Sequence, residues 1–364
     1  MKKKVLSVLL CMTMAASMLI GCGAKEEAPA EAPAADASTE EGEEAAEAVE
    51  VTAGGTYAFV PKSAGNAFNE KEAEGFQKAV EAAGATAIVS YPTDATADSQ
   101  ITVLQSLISQ GVDGICVAAN DANALSAALQ EAMDAGIQVC TVDSAVEPAS
   151  RAVHCNQAGV QEIGVALMDA VLDIAGGEGQ FAILSATSQA TNQNAWIDAM
   201  KALMESDSKY AGLELVEVAY GDDEPVKSTD QTQALLANYP DLKVICAPTT
   251  VGIMAAGKVL QDQGSSVKLT GLGLPSEMEA YIGEGDEFSC PYMFLWNPID
   301  LGALGGYTIM ALCNGEITGA EGETFTCDLG DYSIVAAGDG GTEIILGAPF
   351  KFEPSNIAEW AQVY

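Results

Sequence analysis

Tyr57-Ala58-Phe59-Val60-Pro61-Lys62-Ser63 is a short apolar run stopped by a proline and followed at once by a lysine and a serine. Beyond it Phe76, Ala79, Val80 and Ala83 recur at i, i+3, i+4 and i+7, which is one face of a helix. The same unit returns: a strand at 86–90, a helix carrying Ile101, Leu104, Leu107 and Ile108, a strand at 113–118, a helix at 122–135 and a strand at 137–142. Short apolar strands alternating with amphipathic helices specify a parallel sheet wound by helices. After Arg151-Ala152-Val153-His154, read as a strand leaving the first unit, the rhythm restarts with Ile163, Leu167, Ala170, Val171 and Ile174 on one helix face. It continues through Phe181 to Leu184, the helix near Trp196, strands at 213–219 and 243–246, and a last pair at 251–263 and 267–272. Two similar α/β halves side by side predict a cleft between them.

The other end of the chain fixes the compartment. Lys2, Lys3 and Lys4 precede an apolar run from Val5 to Ile20, too short for a comfortable membrane span and patterned as an export signal. It closes on Leu19-Ile20-Gly21-Cys22, which resembles the bacterial lipobox, so Cys22 is the expected lipidation site and membrane anchor. Residues 23–52 consist almost wholly of Ala, Glu, Pro, Asp, Ser, Thr and Gly and read as a disordered acidic linker. Such a coil reaches on the order of 30 Å.

Three of the 15 basic residues belong to the signal, so the remainder carries about −40 against its 52 acidic residues. That charge argues against nucleic acid and against electrostatic binding to anionic lipid. Seven of the nine cysteines lie in the folded part, an odd number with no C-x-x-C pair. Cys116, Cys140 and Cys246 sit inside apolar runs and are read as buried free thiols. With His154 the only histidine, a zinc site is not expected, and no cofactor is.

In open parallel sheets ligands sit beyond the carboxyl ends of the strands. The residues there are Lys62, Asn120, Asp143, Asn156-Gln157, Ser188 to Asn194, Pro248-Thr249-Thr250, Leu274-Pro275 and Trp296-Asn297. Amides, hydroxyls, single charges and a tryptophan suit a neutral polyol. Asp143 offers a charged acceptor for sugar hydroxyls, where a plain turn residue is the alternative. Of Asn192-Gln193-Asn194 one amide is expected to cap the following helix and the others to serve a ligand. Trp296 would lay its face against the C–H side of a sugar ring.

These segments also resemble a known family. Phe59-Val60-Pro61-Lys62, Val142-Asp143-Ser144, Asn192-Gln193-Asn194-Ala195-Trp196, Ala247-Pro248-Thr249-Thr250-Val251-Gly252, Gly271 to Met278 and Trp296-Asn297-Pro298-Ile299-Asp300 are similar to the rhamnose-binding proteins of ABC transporters, from about residue 55 to 350. The resemblance implies the type I periplasmic binding protein fold: two doubly wound parallel-sheet lobes joined by a three-strand hinge, closing on a small sugar, most of all L-rhamnose. Close relatives in that group bind the quorum signal autoinducer-2 through a lysine, an aspartate, an Asp-Gln pair and a proline and alanine of one loop. Lys62, Asp143, Asn192-Gln193, Pro248 and Thr250 stand at those positions. Asn for Asp and Thr for Ala favour rhamnose, with autoinducer-2 or another aldose as the alternative. The implied ligand residues are Lys62, Asp143, Asn192, Gln193, Pro248, Thr250, Asn120, Trp296 and Asn297, and the implied protein partners are ABC permease subunits.

The spans are then an export signal at 1–21, lipidated Cys22 and linker at 22–54, lobe one at 55–152 plus 292–318, and lobe two with the hinge return at 153–291 plus 319–364. Interlobe crossings are expected near 151–156, 288–296 and 318–330. Enzymatic readings find little: no G-x-S-x-G elbow exists, and no triad assembles around His154. Gly271-Leu272-Gly273 lacks the third glycine of a dinucleotide site, and Asp222-Asp223-Glu224 is read as a solvated acidic turn.

Overall fold

A computed structural model describes residues 54–364. The export signal, Cys22 and the linker up to residue 53 lie outside the described residues.

Five strands and four helices open the described chain: β1 (Thr56–Val60), α1 (Ala67–Ala82), β2 (Thr86–Val89), α2 (Ala97–Gln110), β3 (Gly114–Val117), α3 (Ser126–Asp134), β4 (Gln138–Val142), β5 (His154–Asn156) and α4 (Val160–Ile174). A second series follows: β6 (Gly179–Ser185), α5 (Thr191–Ser206), β7 (Leu213–Tyr220), α6 (Pro225–Asn238), β8 (Leu242–Ala247), α7 (Thr250–Asp262), β9 (Lys268–Gly271) and α8 (Pro275–Met278). The chain closes with β10 (Met293–Leu295), α9 (Pro298–Asn314), β11 (Thr324–Cys327), β12 (Gly330–Ser333), β13 (Val335–Ala336), β14 (Thr342–Ile345), β15 (Phe350–Phe352) and α10 (Ile357–Trp360). Asp121 accepts from the N–H groups of Asn123 and Ala124, both at 2.8 Å, and this turn delays α3 beyond the expected start at 122.

The first sheet runs β13-β14-β5-β4-β3-β1-β2, parallel except for β13, and the second runs β7-β6-β8-β9, all parallel. Both begin with the same winding, the first strand flanked by the second and third. Strands β3 and β8 are buried on both faces, which is why the sequence shows runs rather than alternation there. A bridge from Leu272 to Phe294 sets β10 beyond β9, and β15 pairs antiparallel with β10.

Three connections pass between the lobes: after Asn156, after Leu295, and between Ile345 and Phe350. The sheet pairings thus differ from the expected spans in three places, one of them β10, expected in lobe one from residue 292 but set beside β9 in lobe two. His154–Asn156 stays in the first sheet beside β4, and β14 joins it there, with Ile344 opposite Cys155 and fully buried. Residues 324–333, near which the third crossing was expected, form the β11–β12 hairpin instead, and Tyr307 of α9 donates to Asp328 of its turn at 3.2 Å. The third crossing follows β14.

Helices α1 and α9 cross on glycines. A Cβ on Gly75 would lie 1.8 Å from the Ile299 carbonyl oxygen, and one on Gly302 would lie 1.8 Å from that of Glu72. Gly271, at φ +148°, has room for no Cβ beside the Ala247 backbone, so the Gly271-Leu272-Gly273 string serves strand packing. All seven cysteines among the described residues are free thiols, five of them buried. No helix among these residues is long and apolar enough to cross a membrane.

Candidate functional site

The carboxyl ends of β1, β4, β7, β8 and β10 converge on one cavity between the lobes. Lys62, two residues past β1, and Asp143, directly after β4, form an ion pair of 2.8 Å with side chains only 13% and 5% exposed. Asp143 takes φ +59°, in the left-handed region that Asp tolerates better than most residues, and its N–H donates to Cys155. Helix α5 brings Asn192 across from lobe two. Its Nδ2 donates to Asp143 at 3.1 Å, and its Oδ1 accepts from Lys62 at 3.2 Å. One amide therefore ties both ions of lobe one to lobe two.

Around this bridge the cavity is narrow, with a volume of about 40 Å³. Lys62, Asn66, Phe68, Asn69 and Asp143 line it from lobe one, and Gln193, Trp196, Asp223, Pro248, Thr249 and Thr250 from lobe two. Trp296, at the crossing after β10, packs edge-on against Phe68 and Trp196, at ring distances of 6.3 and 5.6 Å. Gln193 Oε1 and Trp296 Nε1 are buried, and no protein group reaches either. Asn66 also caps α1, accepting from the Phe68 N–H at 3.0 Å.

Of the residues singled out in the sequence, Lys62, Asp143, Gln193, Pro248, Thr250 and Trp296 line this cavity, and Asn192 braces its wall. Two others do not line it. Asn120 donates to the Lys62 carbonyl oxygen at 2.9 Å and so steadies the loop that carries the lysine. Asn297 caps α9, accepting from the Ile299 N–H at 3.0 Å. No local pattern announces Gln100, wholly buried on α2, whose amide nitrogen donates to the Pro61 and Ala118 carbonyls and whose oxygen accepts from the Asn120 N–H.

The acidic turn needs correction. Asp223 is half-buried and lines the cavity, and its carboxylate accepts from the Thr249 hydroxyl. Glu72 is a second surprise: it points inward from α1 with both carboxylate oxygens buried and unpaired. Burial, reinforced by Asp143, holds its carboxyl well above the usual carboxylate range. Burial likewise pushes His154 down to about 3, so this imidazole, paired with the Thr141 hydroxyl at 3.0 Å, is neutral.

Opposed strand-end loops, polar groups facing one another and aromatic walls define the cleft of a two-lobed solute-binding protein. Comparison with known proteins agrees. A family model described as a periplasmic binding protein domain matches residues 57–317. The crystal structure of an ABC transporter solute-binding protein from Clostridium phytofermentans with bound L-rhamnose is 60% identical, with a TM-score of 0.84 over 86% of this chain and 100% of that one. A sugar ABC transporter protein from Actinomyces odontolyticus is 36% identical, with a TM-score of 0.67 over 84% of this chain and 97% of its own. LsrB from Clostridium saccharobutylicum, solved in complex with AI-2, shares the fold at 23% identity, with a TM-score of 0.76 over 84% and 99%. The chain belongs to the periplasmic binding protein family. It is an extracytoplasmic binding protein and not an enzyme.

Proposed function

We propose that this protein is the solute-binding component of an ABC importer, anchored to the membrane through a lipid on Cys22, and that its lobes close on L-rhamnose. The observation that carries the reading is the chemistry of the cavity wall. An ionised acceptor, Asp143, faces a buried acceptor, Gln193 Oε1, and a buried donor, Trp296 Nε1, that no protein group satisfies. Leaving such groups unpaired costs about 1–3 kcal/mol each, and a small polyhydroxylated ring can satisfy donor and acceptor together. The indole faces suit the apolar side of that ring. The 60% identical relative was crystallised with L-rhamnose, which favours that sugar among polyols of this size.

Lys62 and Asp143 bind from lobe one, and Gln193, Pro248 and Thr250 from lobe two, while Asn192 links the two sets. Contacts made by both lobes favour the closed form by their differential affinity, and closure presents both lobe surfaces to a permease. The lipid anchor rests on the Lys2–Lys4 charges, the apolar run and the Leu19-Ile20-Gly21-Cys22 string.

Titration calorimetry of the mature domain with L-rhamnose, ribose, other deoxyhexoses and autoinducer-2 tests the assignment. L-rhamnose gives saturable heat and the strongest binding, and autoinducer-2 binds more weakly. The reverse order would make this a quorum-signal receptor on the same fold.

A further inference from the structure

We propose that Asp223 is a second ligand-binding carboxylate, the lobe-two counterpart of Asp143, and that it sets which sugar hydroxyls the site accepts. The proposal rests on the sugar-binding reading and deepens it. Asp223 lies three residues beyond β7, in the position relative to its sheet that ligand loops take, and it lines the cavity.

A merely structural role leaves its side chain unexplained. Helix α6 begins at Pro225 after Glu224 and has no side-chain cap, so Asp223 caps nothing there. Its hydrogen-bond partner is Thr249, itself a buried cavity residue. That bond occupies Oδ1 and fixes the rotamer of the carboxylate.

The backbone supports the same conclusion. Asp222 and Asp223 both lie in the left-handed region, at φ +55° and +53°, and two successive non-glycine residues seldom do. The turn is held from outside: the Asp222 N–H donates to the Ala186 carbonyl at 3.1 Å, and Lys227 pairs with the Asp222 carboxylate. Strain maintained by its surroundings is characteristic of ligand-facing segments.

Lys62 and Asp143 line the same cavity from the opposite lobe, which places all three about one space. A ring held there donates hydroxyls to a carboxylate from each lobe. The balance of two cavity carboxylates against the Lys62 ammonium admits neutral polyols and opposes sugar acids, whose own carboxylate would find no second cation in the wall.

The test compares wild type with Asp223→Asn by calorimetry, using L-rhamnose and its single-deoxy derivatives. Asn tolerates the left-handed backbone and keeps an acceptor for Thr249, so the melting temperature without sugar stays at the wild-type value. Wild type binds one deoxy derivative at least tenfold more weakly than L-rhamnose. Asp223→Asn binds L-rhamnose at least tenfold more weakly, about 1.4 kcal/mol, and loses its discrimination against that same derivative. Unchanged affinity with an unchanged deoxy profile overturns the proposal, as does a variant that only melts lower. If wild type prefers another sugar of the panel, the rhamnose assignment fails, and the same comparison made with that sugar's deoxy derivatives still decides the role of Asp223.

Discussion

Lobe one and lobe two wind their first strands in the same order, yet they bring unlike groups to the cleft. Lobe one supplies the Lys62–Asp143 ion pair, with Asn120 and Gln100 bracing the lysine loop and Glu72 buried in α1. Lobe two supplies mostly neutral groups on helix N-termini and loops, Asn192, Gln193 and Thr250, with Asp223 its one cavity carboxylate. A largely buried ion pair is useful only when its geometry is good and its remaining valences are filled, so it demands a braced frame. An amide can donate or accept and tolerates adjustment. On the proposed reading, the same topology yields one lobe that anchors the sugar and one that fits itself to what is anchored.

Removing the anchor gives the largest expected effect. Asp143→Ala deprives the ligand of an ionised acceptor and leaves the Lys62 ammonium without its countercharge, lowering affinity by about 1.5–3 kcal/mol or more. That is roughly ten- to hundredfold in dissociation constant. Asp143→Asn keeps the shape and one acceptor and falls between the two. Calorimetric titration reads both, and wild-type affinity in the alanine variant would break the division of labour between the lobes.

The frame of lobe one can be attacked away from the cleft. Gly302→Ala forces a Cβ into the Glu72 carbonyl, where backbone must yield, and overpacking of this kind costs about 1–3 kcal/mol. Chemical denaturation of the variant shows that loss, with sugar affinity reduced through displacement of α1. An alanine that leaves stability unchanged would mean that the α1–α9 crossing is looser than its geometry.

Glu72 sharpens the contrast through pH. Its folded carboxyl binds a proton more tightly than the unfolded one, whose ordinary value is 4.5. Stability from this group is therefore fully present below 4.5 and declines as pH rises toward its raised folded value. Glu72→Gln removes the decline: the variant matches wild type near pH 4 and exceeds it by about 1 kcal/mol near neutrality. Melting temperatures across that range measure it, and a parallel pH dependence in both proteins would contradict the sign.

The readable parts of the sequence were those in which local pattern and tertiary role coincide. Tyr57 to Val60 and Ile115 to Val117 announce buried parallel strands because both faces are covered, and their following residues fall at the cleft by topology alone. Lys62, Asp143 and Gln193 were legible for that reason. Asn120 and Asn297 looked no different from ligand amides, since an amide after a strand can meet a sugar hydroxyl or a backbone carbonyl with equal chemistry. Asp223 was hidden by the opposite problem: an Asp-Asp-Glu turn reads as solvated until the strand beside it is known to end at the cavity. The third crossing was misplaced because β14 owes its position to β5, which lies far back in the chain, with Asn156 and Glu343 joined across 187 residues. No local window contains that pairing.

The same strand has a consequence for how the molecule forms. Both lobes await the end of the chain: the first sheet needs β14 at Thr342–Ile345, and β10 of lobe two needs β15 at Phe350–Phe352. During export the amino-terminal half of lobe one emerges first but cannot be completed, and contacts that close long loops form late. The four-stranded sheet β6 to β9 lies within one continuous stretch and can form before either late strand, and the β10–β15 pairing closes lobe two last.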